Sequence, residues 1–374
     1  MLRIILAVVL VLHGGIHLLG VVKAFSPGAL TEMRPIAWPL GVLWLIAALA
    51  LVGCAILVIA GSQAWMIALG PALLVSTIVI VAAWSDAKVG ALVNLVLLVA
   101  LGLAIRERPT LRALYDAETS ARMTRAIAAS SVVEESDLAQ LPPLVGAYLR
   151  RAGVVGKPRV MDLSARFSGE MRTSADAAWM PIQAQQRSFF EEPARLFYME
   201  AKRSGLPFAA LHVYAGGTAT MVVRVAGLAD VVDARGPEMD QGETVTLFND
   251  MWLLAPATLV DAPIVWETID PRTVGAVFRG IHATLTFDEA GDLAEFWSDD
   301  RYQSADGKTY AKLRWTTPVR EHRDLGAARV ASLAEAIWRE ADGRTWTYAR
   351  FRVESLEYNT RPAPEHRSAD VTAR

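Results

Sequence analysis

The stretch GETVTLFNDMWLLAPATLV, Gly242 to Val260, is the one long helical pattern among many strand-like runs in the polar two-thirds of the chain. At about 100° per residue, Val245, Leu247, Phe248, Met251, Trp252 and Leu254 fill roughly half of the circumference, while Thr246, Asn249 and Asp250 share a narrower polar arc. A helix with so wide an apolar face needs a sheet to cover. Pro256 ends or kinks it, and Thr258, Leu259 and Val260 lead out toward the next strand.

Working outward, the pattern on both sides has period two. Val160–Met171, Ile182–Glu191, Leu196–Lys202, Phe208–Tyr214, Ala219–Val225, Val274–Phe278, Ala283–Phe287, Leu293–Trp297, Tyr310–Trp315 and Thr345–Tyr358 read as strands. Short loops between neighbours mean antiparallel pairing. Asp288–Asp292 and Ala341–Arg344 are hairpin loops, and Gly216-Gly217 reads as a hairpin turn. About ten strands and one apolar helix describe an α+β layer, a large curved antiparallel sheet over one main helix, half-barrel-like in outline. The concave side of such a sheet encloses either a packed core or an apolar cavity. Trp179, Trp252, Trp266, Trp297, Trp315, Trp338 and Trp346 all fall in this region, and large rings serve both outcomes.

The front of the chain is different in kind. Its charged residues up to position 106 are only Arg3, Lys23, Arg34, Arg106 and Lys88 with Glu32 and Asp86, which explains the 53% apolar share and the mean hydropathy of +0.30. Four runs near membrane length, Ile4–Val22, Ile36–Ala60, Ala64–Trp84 and Val89–Ile105, predict an N-terminal four-helix transmembrane bundle. The first is read as a span rather than a signal peptide, because no small-x-small cleavage site precedes Lys23 and three more apolar runs follow. Arg3, Arg106, Arg108 and Arg112 fall on one side of the four spans and Lys23, Arg34 and Lys88 on the other, an excess that puts both termini in the cytoplasm of a cell-membrane protein. The rest of the chain is mildly acidic, with no basic block, so nucleic acid is not an expected partner and the bilayer is. The domain boundaries expected are 1–106 for the spans, 107–156 for a helical connector, 157–359 for the sheet domain and 360–374 for a disordered tail.

In the connector, Leu111, Leu114, Tyr115, Met123 and Ile127 recur at helical spacing with Arg112, Arg122 and Arg125 among the polar positions. The pattern fits a helix lying along a membrane surface and fits a plain connector equally well. A second helical run, Glu134–Ala152, is broken at Leu141-Pro142-Pro143-Leu144 and capped by Gly153.

Within the spans, His13 and His17 share one face of the first helix at i, i+4. They are the only weak metal candidates. Cys54, the single cysteine, with Ser76 and Thr77 makes a poor set for zinc or haem, and the imidazoles read as packing groups that hydrogen-bond across the bundle. No metal and no cofactor is expected.

The runs Val245–Met251, Leu254–Leu259, Trp266-Glu267, Ser298–Tyr302 and Glu335–Trp338 together resemble a family of uncharacterised bacterial multi-pass membrane proteins with a C-terminal domain of unknown function. The resemblance covers roughly residues 141–359. It implies the pairing of a few N-terminal spans with this domain and implies no activity. Trp252 departs from the family's pattern, in which a smaller residue such as Cys is expected. The layout of strands also resembles the half-barrels of lipoprotein carriers, a likeness of fold only.

No P-loop, G-x-S-x-G, H-E-x-x-H or cysteine pair is present. Two readings of function follow. In the first, the domain is a membrane-tethered module that binds an apolar ligand such as a lipid or acyl chain through Phe248, Asn249, Trp252, Trp266 and Trp297. In the second it is an enzyme acting on a membrane-associated or small polar substrate, with Asp250, Asp299, Asp300 and Arg301 as weak catalytic candidates, since paired carboxylates do acid–base work when burial separates their pKa values. A structural interaction domain without ligand is the third. An apolar tunnel would favour the first and a polar cleft on which these carboxylates converge the second.

Overall fold

The computed structural model describes residues 1–26, 28–124, 131–304 and 306–360. The expected tail beyond Thr360, and Arg125 and Ile127 of the connector pattern, lie outside the described residues. Two compact units divide the chain: Met1–Pro109 with Leu228–Asp230, and Thr110–Gly227 with Val231–Arg374.

The first unit is helical. Helices α1 (Leu2–Phe25), α2 (Trp38–Ile59), α3 (Trp65–Ala82) and α5 (Val89–Glu107) follow the four apolar runs, with a single turn, α4 (Trp84–Ala87), between the last two. Four helical segments here are long and apolar enough to cross a membrane. Glycine sets how closely α1 and α2 approach. A Cβ at Gly20 would lie 2.3 Å from the Trp44 ring, and one at Gly41 2.3 Å from Ala24 Cβ, so neither position accepts a side chain without the helices separating.

The second unit begins with three helices, α6 (Leu111–Met123), α7 (Glu135–Leu138) and α8 (Pro143–Ala152). Strands β1 (Asp162–Met171), β2 (Met180–Phe189), β3 (Ala194–Arg203), β4 (Leu206–Ala215), β5 (Thr218–Val225) and β6 (Ala229–Arg235) then form one meander. Helix α9 (Pro237–Leu253) and a 3-10 turn at Pro256–Leu259 lead to the second meander. It consists of β7 (Ile264–Asp270), β8 (Thr273–Phe278), β9 (Ile281–Phe287), β10 (Leu293–Gln303), β11 (Ala311–Asp324), β12 (Arg329–Arg339) and β13 (Thr345–Tyr358). The first strand pairs antiparallel with the last, from Leu163 opposite Tyr358 to Met171 opposite Ala349. Among the described residues the meanders thus make one thirteen-stranded sheet, with β6 and β7 at its edges. Because α9 packs against β4 and β5 of one meander and β9 and β10 of the other, the sheet curls round it as an open half-barrel.

Three of these strands, β6, β7 and β12, are additional to the ten read from the sequence. The two edge strands are largely exposed and so lack an alternating apolar face. Strand β12, RVASLAEAIWR, is rich in alanine, which has little strand preference of its own. The central helix also begins earlier than its apolar pattern: Pro237 occupies the first turn, with Glu238 and Asp240 near the positive end of the helix dipole.

Two connector expectations resolve physically. The apolar face of α6 lies on β3 and β4, where Leu111, Tyr115 and Met123 pack with Leu196, Tyr198 and Leu211, so this helix covers the sheet. Gly153 ends α8 in the left-handed conformation, φ 70°, as a C-cap glycine does. The α8 helix packs into the main core beneath α9, and Tyr148 Oη donates to the carbonyl of Trp252 at 2.6 Å.

Candidate functional site

Helix α9 has two faces that do opposite things. Val245, Phe248 and Trp252 are at most 0% exposed and sit in the main core, where Phe248 meets Phe278 and Phe296 at 5.1 and 5.8 Å. The other face carries Met239, Gly242, Glu243, Thr246, Asn249, Asp250 and Leu253, at the three- and four-residue spacing of a single helical stripe, and all of them line a cavity of about 1130 Å³. The sheet supplies the remaining walls. On β3 every second residue from Arg195 through Phe197, Met199 and Ala201 to Arg203 faces this space, as strand alternation requires. On β12, Ala331, Ala334 and Ala336 leave volume where larger side chains would fill it. Thr173, Ser174, Ala175, Arg203 and Arg344 are exposed lining residues and mark where the cavity meets solvent.

Most of the wall is apolar, but one part holds a buried charged cluster. Arg195 Nε donates to Asp250 Oδ2 at 2.6 Å, its Nη1 to Glu243 Oε2 at 3.0 Å and its Nη2 to Gln186 Oε1 at 3.3 Å. The Gln186 amide also donates to Asp250 at 2.8 Å, and His212 Nδ1 lies 3.4 Å from Glu243 Oε1. Burial alone would raise the Glu243 carboxyl. The hydrogen bond with His212 and the charge of Arg195 outweigh it and hold the group at about 2. Burial likewise opposes the charge on Arg195, yet Asp250 and Glu243 beside it push its pKa above the ordinary value. Both groups therefore stay charged around neutral pH. Arg301 completes the set, its Nη2 3.9 Å from Glu243 Oε1 and its guanidinium 4.1 Å from the centre of the Trp315 ring.

A bulge decides where Arg301 points. Between β10 and β11, Ser298 is opposite Trp315 but Arg301 is opposite Leu313, so Asp299 and Asp300 are taken up in an irregularity of the ladder. The Asp-Asp-Arg run is split as a result. Asp299 makes a two-bond pair with Arg314, both contacts at 2.8 Å, with over half of its side chain exposed. Asp300 accepts from the His282 backbone N–H at 2.8 Å and pairs with Lys312 at 2.8 Å, which outweighs burial and lowers its pKa. Only Arg301 and Asp250, of the four catalytic candidates, line the cavity.

The five residues read as ligand-binding are divided in the same way. Asn249 lines the cavity, its side-chain oxygen accepting from Thr317 at 2.5 Å. Phe248 and Trp252 are core residues, and Trp266 meets Trp252 edge to face at 5.7 Å on the side of the helix away from the cavity stripe. Trp297 lies under the Arg314 guanidinium at 3.8 Å. Val245, Leu247, Phe248, Met251 and Trp252 of the apolar arc are packed in the core, and it is the polar arc, with Leu253 and Leu254 at its end, that meets the open space.

Arg195, Gln186, His212 and Glu243 were not singled out as site residues by their pattern. The signal was present in part: inward positions of β2, β3 and β4 that carry Gln186, Arg195 and His212 instead of apolar side chains, opposite a helix with a polar stripe. It became legible only once strand pairing put the three side by side.

In the helical unit, His13 and His17 sit in a hydrogen-bonded polar network. His13 Nε2 is 2.8 Å from Asn94 Oδ1, His17 Nε2 is 2.9 Å from Ser76 Oγ, and Asn94 Nδ2 donates to Thr77 Oγ1 at 3.0 Å. The 2.9 Å contact from His17 Nδ1 to the carbonyl of His13 requires a proton on Nδ1. Both ring nitrogens of His17 and Nε2 of His13 are thereby accounted for within the bundle. No group of three or more His, Cys, Asp or Glu side chains is placed to hold a metal among the described residues.

A family described as of unknown function, DUF6544, has a model that matches residues 131–351, more than half of the chain. No curated protein is matched. Among solved structures, a putative outer membrane lipoprotein-sorting protein domain from Vibrio parahaemolyticus is similar at 10% identity and a TM-score of 0.31, over 54% of this chain and 87% of that one. A LolA superfamily protein from Nitrosomonas europaea gives 10% identity and 0.31 over 63% and 96%, and a DUF1329 family protein from Desulfovibrio piger 9% and 0.27 over 62% and 96%. Scores of this size carry nothing about ligand or activity.

Proposed function

We propose that this chain, which belongs to the DUF6544 family of unknown function, is a membrane-tethered module whose sheet domain binds an apolar ligand such as a lipid or acyl chain. The observation that carries the reading is the cavity. At about 1130 Å³ it slightly exceeds the roughly 300–1,000 Å³ usual for small-molecule sites. Its walls are built from Phe167, Phe197, Met199, Met221, Trp338 and Phe351, side chains that gain from contact with a hydrocarbon. In this reading the four apolar helices hold the module in the cell membrane, and the small excess of basic residues beside the terminal ends of the spans supports a cytoplasmic sheet domain.

The enzyme reading has less support. Asp299 and Asp300 are engaged elsewhere, and a carboxyl held at about 2, as Glu243 is, makes a poor general base or acid near neutral pH.

The test is saturable binding of a fluorescent fatty acid to the full chain held in amphipol, with Ala336→Trp, which fills the cavity from β12, as the comparison. Micromolar binding that the substitution abolishes is expected. A probe that partitions equally into both proteins, together with no lipid in organic extracts of the purified chain, overturns the reading. A reporter fused after Asn359 that behaves as periplasmic overturns the orientation.

A further inference from the structure

The charged cluster beside the cavity is unevenly satisfied. Arg195 is fully engaged, its three nitrogens spread over Asp250, Glu243 and Gln186. Arg301 is not. Its Nη2 stands 3.9 Å from Glu243, too far for a hydrogen bond, and its Nη1 is buried with no acceptor among the described residues. The guanidinium is nevertheless held in place, lying 4.1 Å over Trp315 and 5.8 Å from the centre of Trp338, both of which line the same cavity. The bulge at Asp299-Asp300 directs this one side chain inward, away from the two carboxylates that precede it.

An arginine keeps its charge wherever it is placed, and its planar fork matches an oxyanion better than any neutral acceptor. The counter-charges nearby are already shared. Asp250 is taken by Arg195 and Gln186, and Glu243 by Arg195 and His212 as well as Arg301. A second negative charge on the head group would add to the repulsion from Glu243 and Asp250, whereas a single negative charge fits the Arg301 guanidinium, whose buried Nη1 has no acceptor among the described residues. We propose that Arg301 is the residue that receives the head group of the ligand, and that the ligand is an apolar chain ending in a singly charged oxyanion. This rests on the cavity being an apolar binding site. Fatty carboxylates and phosphodiester lipids share the required chemistry.

The experiment is displacement of the fluorescent fatty acid from the full chain in amphipol by four unlabelled competitors: oleate, methyl oleate, phosphatidylglycerol and diacylglycerol. Oleate is expected to compete at a concentration lower than methyl oleate by about tenfold or more, the size of one charged hydrogen bond. Phosphatidylglycerol displacing better than oleate, and better than diacylglycerol, would identify the phosphodiester as the source, and the reverse order the free carboxylate. In Arg301→Gln the probe itself should bind more weakly and the preference for the charged member of each pair should disappear, while the inhibition constant of methyl oleate, corrected for the probe's own affinity, stays the same and reports that the variant is folded. Equal competition by oleate and methyl oleate in the unmodified protein sinks the assignment, whatever becomes of the variant, and leaves the apolar cavity standing. A preference that survives in Arg301→Gln also sinks it. Failure of all four to displace the probe removes the binding reading itself.

Discussion

The molecule buries two clusters of polar side chains, and they differ in charge and in room. In the helical unit, His13, His17, Ser76, Thr77 and Asn94 make a network without carboxylate, Lys or Arg, with the imidazoles linked to Asn94 and Ser76. In the sheet unit, the ionic side chains Arg195, Arg301, Glu243 and Asp250 border a cavity of about 1130 Å³, and the Nη1 of Arg301 has no acceptor among the described residues. Burial of polar groups is common to both. What separates a packing device from a candidate binding site is unspent hydrogen-bonding capacity next to space that a ligand can occupy.

The largest expected effect is on the charged cluster. Arg195→Met leaves Glu243 and Asp250 buried without their main partner, which should lower unfolding stability by about 3–5 kcal/mol in denaturant titrations of the detergent-solubilised chain. A loss below about 1 kcal/mol, the range of exposed ion pairs, would mean that water already screens the cluster. The same cluster has an acid signature. The Glu243 carboxyl is held at about 2 against an ordinary 4.5, so its contribution to stability is complete above pH 4.5 and is lost as the pH falls through 2. Glu243→Gln should flatten the stability profile over that window, and an unaltered profile would place the acid sensitivity in other groups.

Nearly as large is the cost of Trp252→Ala on the solid face of α9, about 3–5 kcal/mol, because the ring is 0% exposed among Tyr148, Phe248, Trp266 and Phe287. Probe affinity measured well below the melting temperature should be unchanged. Weaker binding at unaltered stability would put the ring in the cavity and erase the contrast between the two faces of the helix.

Smaller again is Asp300→Ala, which removes the acceptor for the His282 N–H and for Lys312, a loss of about 1.5–3 kcal/mol. Asp299→Ala, on an exposed pair, should cost less than about 1 kcal/mol. Similar melting temperatures for the two variants would show that the bulge does not divide their roles. Last comes the His13–Asn94 network. Asn94→Leu should cost about 0.6–1.7 kcal/mol, the span measured for hydrogen bonds between membrane helices. A much larger loss would argue that the network does more than pack the bundle.

Sequence and structure agree best where a pattern is local and repeats. The Asp288–Asp292 loop forms the expected hairpin, with Gly291 at φ 85°, because its turn chemistry is complete within five residues. The site is another matter. Asp299, Asp300 and Arg301 are neighbours in sequence and read as one cluster, yet a two-residue irregularity in the ladder sends them to different surroundings. Arg195 and Glu243 are 48 residues apart and meet only because α9 crosses the concave face of an open sheet whose two meanders are joined by the pairing of its first and last strands.

The amino-acid sequence by itself determined four apolar helices, an antiparallel strand-rich domain and one central helix with a polar and an apolar arc, since each depends on periodicity within a window of about 20 residues. Tertiary structure alone decided which arc of that helix would be packed and which left facing space. The reason is volume: Tyr148, Phe278, Phe287 and Phe296 fill the apolar side, whereas the alanines of β12 leave the polar side open. No single segment of the chain contains both halves of that balance.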